Sequence, residues 1–323
     1  MTSTVYTINL DFRCNERCVF CAADLGGNVA AEVRRPSLSL DRIREWLDDS
    51  PPGPGDRVVL SGGEPTLHRE LVPIARYVSR LGPDVVLFTN GMRLANPELA
   101  RATADAGVTR YEISLYGADA AGHDEITRRR GSFERTLRAL RVLASLRAEF
   151  HIWLSVRLLV SRNTFQSNPA IIRRVATDVG AVDSFSLNHL VLSQDALSAD
   201  APVSWSVARE SVNECARLVR ELGATLDCAD VPLCVFDEDN AGPAVAAAAD
   251  PRTVGFGANH FQYRYLDPLV PDGTPSPRHR AALPDVCLGC AVSGLCARVE
   301  RGYLQRFGQR GLRTVAPTAV RHQ

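Results

Sequence analysis

Cys14, Cys18 and Cys21 form a Cys-x3-Cys-x2-Cys array directly behind an apolar run, and Ser61-Gly62-Gly63-Glu64-Pro65-Thr66 closes a second such run further along. Three closely spaced thiolates can ligate three irons of a four-iron cluster and leave the fourth iron open to a ligand. Soft thiolates also suit zinc, but a structural zinc knot takes a fourth protein ligand, and the next cysteine in the chain is Cys215. Glycines at 62 and 63 carry no Cβ, so the backbone there can come close to a bound ligand.

In their order and separation the two motifs resemble the radical S-adenosylmethionine (SAM) superfamily. That resemblance implies a [4Fe-4S] cluster on Cys14, Cys18 and Cys21 whose open iron chelates SAM. One electron from the cluster then cleaves SAM to methionine and a 5'-deoxyadenosyl radical. The cofactor carries that chemistry, and the protein supplies binding, orientation and exclusion of water. By the same resemblance Phe20 shields the cluster and packs near the adenine, with simple loop packing as the alternative. Glu64 and the local carbonyls, beside Gly62 and Gly63, accept from the SAM ammonium. Asn90, Ser114 and Arg157 resemble positions that bind ribose hydroxyls or the SAM carboxylate. An arginine within an apolar strand needs a buried anion, and pairing of Arg157 with Glu112 is equally open.

The elements that must hold these residues show as short β-branched runs alternating with helical periodicity, the pattern of parallel βα units. Strands are expected at Val5 to Leu10, Arg57 to Leu60, Val85 to Thr89, Tyr111 to Tyr116, Ile152 to Val160 and Phe185 to Leu192. Asn96-Pro97 opens a helix that Gly107 stops, and Asn168-Pro169 opens another before Gly180. His123-Asp124 and Gly131-Ser132-Phe133 read as structural, with Ser132 as a helix N-cap. The expected class is α/β: a partial (β/α)6 TIM-type barrel over residues 1–195, then a small, loop-rich iron-sulfur module over 196–323. Ligands of such barrels bind at the C-terminal strand ends, where Asn90 and Ser114 fall.

In the second part a helix is expected from Ser204 to Leu222, with Cys215 on its apolar stripe. Cys287-x2-Cys290-x5-Cys296, with Cys234 upstream, resembles the auxiliary-cluster module of SPASM or Twitch type found on many radical SAM enzymes. Tyr303 and Phe307-Gly308 continue that likeness. It implies a second [4Fe-4S] cluster on Cys234, Cys287, Cys290 and Cys296, against a zinc knuckle built from the same four. Cys228 is left over. Its spacing allows it to replace Cys234 as ligand, its thiol could donate hydrogen to a substrate radical, or it is a buried spare.

Composition prunes the functions. The chain has 323 residues, 45% of them hydrophobic, enough for a large core. Its net charge is +0, which argues for neither nucleic-acid nor membrane attraction. All 37 Lys+Arg residues are arginine, so a lysine Schiff base and a Walker-type phosphate lysine are impossible. With no apolar run long enough for a bilayer and no secretory leader, the expected location is the cytoplasm. Clustered cysteines in a chain of this size favour metal ligation in a reducing compartment.

A substrate radical beside an auxiliary cluster implies net oxidation, epimerisation or bond formation. The expected substrate is a small polar natural-product intermediate, such as a sugar, aminocyclitol or nucleoside, and the expected electron donor is of flavodoxin or ferredoxin type. The barrel pattern starts almost at Met1, which leaves no room for a leader-peptide recognition domain in this sequence. Maturation of a ribosomal peptide is the second reading, and a non-catalytic iron-sulfur or zinc protein the third.

Overall fold

The β-branched runs form the strands expected of them, β1 (Thr4–Asn9), β2 (Arg57–Ser61), β3 (Asp84–Thr89) and β4 (Val108–Ser114). These come from a computed structural model that describes residues 3–21, 37–189, 202–228, 231–249, 262–266, 281–296 and 299–315. Helices follow each strand: α1 (Leu40–Asp48), α2 (Leu71–Ser79), α3 (Pro97–Asp105), then α4 (Ala120–Thr127) and α5 (Ser132–Phe150). The chain continues with β5 (Trp153–Val160), α6 (Asn168–Asp178), β6 (Ser184–His189), α7 (Trp205–Glu221), β7 (Thr225–Asp227) and α8 (Glu238–Ala249). It ends with β8 (Gln262–Leu266), β9 (Ala281–Ala282), β10 (Val299–Glu300) and α9 (Arg301–Phe307).

The strand order β7-β6-β5-β4-β3-β2-β1-β8 makes an open α/β sheet, the partial TIM-type barrel class that the sequence predicts. Two edge strands exceed the expected six. β7 has 3 residues, too few for a periodicity, and β8 gains its place by pairing in parallel with β1, Val5 beside Tyr263. β4 starts at Val108 rather than Tyr111, because the β-branched pair Val108-Thr109 lies directly behind the Gly107 turn. β6 ends at His189, and residues 190–192 of its expected extension lie outside the described residues.

Two compact units emerge, one within Met1–Leu115, Asp119–Ser155 and His260–Ser276, the other within Tyr116–Ala118, Val156–Asn259 and Pro277–Gln323. In the first, Tyr6 of β1 meets Trp46 of α1 edge-on at 5.9 Å, and the Arg264 guanidinium of β8 lies over both rings. Tyr111 of β4 shares a 2.8 Å hydrogen bond with Thr103 of α3. Those contacts mark the helix-covered face, where Ile8, Val58, Leu60 and Leu87 are fully buried. Each such aliphatic side chain contributes about 1.5–3 kcal/mol. By strand alternation and register, Thr7, Asn9, Ser61, Phe88, Arg110, Glu112 and Ser114 share the opposite face, which is mostly polar.

Asn96 caps α3 by accepting from Glu98 N. At α5 the expectation for Ser132 needs correcting. Gly131 occupies the cap position in the left-handed region (φ 78) and Ser132 is already helical. The cap comes from Asp124 instead, whose carboxylate accepts from Gly131 N, Phe133 N and the Ser132 hydroxyl.

In the second unit α7 buries Trp205, Ala208, Val212, Cys215, Ala216 and Val219 at helical spacing, and Cys215 is core as expected. Trp205 stacks on Tyr303 of α9 with centroids 6.0 Å apart, and His189 tilts against Trp205 at 4.5 Å.

Candidate functional site

The loop behind β1 carries Cys14, Cys18 and Cys21, and the Gly62-Gly63-Glu64 turn behind β2 is bonded to it along the main chain. Gly63 N donates to Asp11 O at 2.8 Å and Glu64 N to Arg13 O at 2.7 Å. A Cβ on Gly62 would stand 2.2 Å from Asp11 O, and one on Gly63 would stand 2.3 Å from Arg13 O. Gly62 also sits at φ 126, outside the range of most side chains. The close approach expected of these glycines is thus made to the cysteine loop's own backbone. Asp11, almost fully buried, stiffens the same loop by accepting from Arg13 N and Nε, both at 3.0 Å.

Glu64 is buried and joins the end of β2 to the end of β3. Its carboxylate accepts from Thr66 N (3.0 Å), Thr66 Oγ1 (2.5 Å), Thr89 Oγ1 (2.5 Å) and Asn90 N (2.8 Å). Burial pushes its pKa up, and these four donors pull it back down. Asn90 in turn donates from Nδ2 to Asn15 Oδ1 (2.7 Å) and towards Cys14 Sγ (3.9 Å), while its Oδ1 accepts from Met92 N. Asn90 therefore ties the end of β3 to the cysteine loop.

A third support comes from the C-terminal end of α4. Arg17 N donates to Thr127 O at 2.9 Å and Val19 N to Ile126 O at 3.0 Å, one amide on each side of Cys18. Helix ends leave such carbonyls without intrahelical partners. Arg128 takes the left-handed conformation (φ 50) that ends α4 here, and Asp124 and Thr127 bind the end to the start of α5 through Ser132. His123, buried beneath this corner, is neutral, with its pKa held at about 4 by desolvation. The sequence reading placed His123 and Asp124 as structural but missed what they hold; only the pairing of a helix end with the cysteine loop reveals it.

Within the loop Cys21 N donates to Cys18 O (3.0 Å), Glu16 N to Cys14 Sγ (3.4 Å), and Cys18 Sγ to Glu16 Oε2 (3.5 Å). Desolvation, then the Glu16 carboxylate, raises the Cys18 thiol above its ordinary pKa. Cluster binding at these thiols therefore displaces protons. Burial likewise pushes Glu16 up to about 8, a residue the sequence reading passed over. Phe20 sits half-buried in the turn between Cys18 and Cys21. Ser114 closes β4 on its polar face. Arg157, in the second unit, donates from Nη2 to Asn188 Oδ1 at 2.9 Å.

In that second unit Cys234, Cys287, Cys290 and Cys296 line one recess, together with Arg313. Short turns present the thiols: Cys287 N donates to Pro284 O, Cys290 N to Cys287 O and Cys296 N to Val292 O. Cys228 is not among the lining residues. It is buried, and its thiol pKa is raised by burial first and then by Asp227. Among the described residues no three His, Cys, Asp or Glu side chains are gathered around one point. No disulfide joins any two of the nine cysteines. Three thiols on one loop and four around one recess fit iron-sulfur clusters by donor type and number.

Residues 8–155 match the family model of the Radical SAM superfamily. Over 139 residues the chain is 36% identical to the AdoMet-dependent heme synthase of Methanosarcina barkeri, covering 43% of this chain and 38% of that protein. Over 139 residues it is 31% identical to the mycofactocin maturase MftC of Mycolicibacterium smegmatis, covering 43% and 34%. The chain thus spans little more than a third of these relatives. In fold it is similar to Streptococcus suis SuiB bound to S-adenosylmethionine, with a TM-score of 0.62 at 13% identity over 98% of this chain and 77% of that one.

Proposed function

From the premise that the chain carries a radical SAM domain across residues 8–155, we propose that it is an oxidoreductase-type radical SAM enzyme acting on a small polar natural-product intermediate. Radical SAM domains use a [4Fe-4S] cluster and SAM, and that pair, when bound, supplies the radical that takes hydrogen from substrate. Cys14, Cys18 and Cys21 would hold the cluster, and the turn at Gly62-Gly63-Glu64 sets their loop. Three of the four donors fall on Glu64 Oε1 and one on Oε2, so Oε2 and the carbonyls of the turn are the acceptors that would be left for the SAM ammonium. Phe20, Asn90, Ser114 and Arg157 remain the other proposed SAM contacts. Residues 1–195 would form the catalytic barrel and 196–323 the auxiliary module.

The observation that carries the oxidative reading is the recess with four cysteines. A second [4Fe-4S] cluster there would accept the electron left on the substrate after hydrogen abstraction. The reductant for the first cluster would be of flavodoxin or ferredoxin type. A reducing cytoplasm suits nine cysteines with no disulfide among them, and no helix among the described residues is long and apolar enough to cross a membrane. Cys228, fully desolvated, is the candidate hydrogen donor should the net reaction be an epimerisation.

Peptide maturation is the second reading, favoured by the likeness to a protein named mycofactocin maturase. Anaerobic reconstitution with dithionite and SAM tests the proposal. Well-loaded protein is expected to produce 5'-deoxyadenosine and to hold about eight irons per chain. Replacing Cys287 and Cys290 together by alanine should halve the iron and leave SAM cleavage. Iron content unchanged by that pair removes the auxiliary cluster from the proposal, and loaded protein that makes no 5'-deoxyadenosine removes catalysis.

A further inference from the structure

Resting on the reading of the recess as a cluster site, we propose that the segment from Arg310 to Val315 is one wall of that site. In it the Val315 amide and the Arg313 guanidinium are positioning groups that raise the cluster's reduction potential and hold Cys234 in place. Val315 N donates to Cys290 Sγ at 3.4 Å. The same residue receives Ala291 N at its carbonyl (3.0 Å), and Thr314 Oγ1 donates to Val286 O (2.7 Å), so both flanks of the Cys287-x2-Cys290 turn are bonded to this segment.

Two arginines bracket the Cys234 turn from this side. Arg313 donates from Nε to Cys234 O (3.0 Å) and from Nη2 to Phe236 O (2.5 Å). Arg209 of α7 donates to Cys234 O (3.2 Å), Val235 O (2.7 Å) and Gly311 O (2.7 Å), joining turn and wall. The wall is anchored behind. Tyr303 OH receives Trp205 N at 2.9 Å and donates to Arg310 O, and a Cβ on Gly311 would stand 2.3 Å from Ser206 N.

Main-chain bonds among carbonyls alone would make this a folding device. The N–H aimed at a ligand sulfur and the guanidinium on the recess lining do more, because hydrogen bonds to thiolate sulfurs and nearby positive charge stabilise the reduced, more negative cluster. Anaerobically loaded full-length protein tests it with two readouts, iron per chain and the auxiliary potential from an EPR-monitored redox titration.

Val315→Pro removes the N–H and is expected to shift the auxiliary potential negative with iron retained, while Val315→Ala leaves both unchanged. Arg313→Gln is expected to lose the auxiliary half of the iron. Arg313→Lys, which keeps the charge without the fork, should lose iron but leave the potential of what remains. Equal potentials for the two Val315 variants, together with full iron in Arg313→Gln, overturn the proposal. If Val315→Pro fails to fold, by its circular dichroism melt, iron content in Arg313→Gln decides alone. A wild type holding about four irons overturns the cluster reading itself, and this wall with it; about eight irons with unaffected variants overturns only the wall.

Discussion

The N-terminal and C-terminal cysteine sites are held by different parts of the chain. Around Cys14, Cys18 and Cys21 the supports are mostly main chain to main chain: Gly63 and Glu64 to the loop on one side, Thr127 and Ile126 carbonyls on the other. Around Cys234, Cys287, Cys290 and Cys296 the main-chain bonds of Val315 to Ala291 and Cys290 are joined by side chains reaching main-chain carbonyls, above all Arg209 and Arg313 at the Cys234 turn. Main-chain contact at such range forces glycine at particular positions and so marks the sequence. Arginine reaches several carbonyls from a flexible stem and leaves no spacing to recognise.

The largest expected effects come from the glycines on which each site rests. Gly63→Ala puts a methyl 2.3 Å from Arg13 O, where backbone would have to move. It should remove the N-terminal cluster and SAM cleavage and cost about 1–3 kcal/mol or more of stability. Gly311→Ala faces Ser206 N at 2.3 Å and should remove only the auxiliary iron. Iron counting with EPR of each variant checks the pair. Loss of both clusters from either one would show that the two sites do not stand independently.

An acid-sensitive support is expected at the N-terminal site alone of the two supports compared. His123 has a folded pKa of about 4, below the 6.5 of the free side chain. A depressed pKa means that its contribution is complete above pH 6.5 and is lost as pH falls towards 4, because the unfolded chain takes up the proton first. Between pH 7 and pH 5 that amounts to roughly 2 kcal/mol, and Glu16, pushed up to about 8, opposes it by stabilising the fold as pH falls over the same interval. Asp124, held below the ordinary carboxylate range because its three donors outweigh burial, keeps its cap over the same interval and loses it only at lower pH. Urea midpoints at pH 7 and pH 5 in wild type and His123→Asn measure this: the variant should gain that amount at pH 5 relative to pH 7, and an unchanged pH dependence assigns the acid sensitivity elsewhere.

The smallest effect is expected from Arg209→Ala. The guanidinium is half-buried, two of its three carbonyls keep another donor (Cys234 O from Arg313 and Val235 O from Asn213), and the cost should be about 1 kcal/mol. A thermal melt of the iron-free protein reads it. A loss as large as that of Gly63→Ala would mean that side-chain fixation is as stiff as main-chain fixation.

Much of the barrel was legible from residue pattern. β1, β2, β3 and β5 fall within a residue or two of their expected runs, and Asn96-Pro97 opens α3 where a side-chain acceptor and a preset φ favour a start. β7, with 3 residues, carries too little alternation to be told from loop, whereas β8 was missed although Gln262-Tyr263-Arg264-Tyr265-Leu266 alternates, and parallel pairing with β1 gives it its place in the sheet. The cap of α5 was misplaced on Ser132 because Asp124 lies in the preceding helix, beyond any local capping pattern.

The sequence alone determined the donor chemistry: thiols in two groups, a glycine pair beside one of them, and no lysine anywhere, facts of residue type and spacing that no folding can change. Only the tertiary structure decided that Cys234 rather than Cys228 joins Cys287, Cys290 and Cys296 around the recess. It also decided that Glu64 spends its carboxylate on Thr66, Thr89 and Asn90. Both are matters of which groups meet across long stretches of chain, and hydrogen bonds act at about 3 Å, a distance that position in the sequence does not encode.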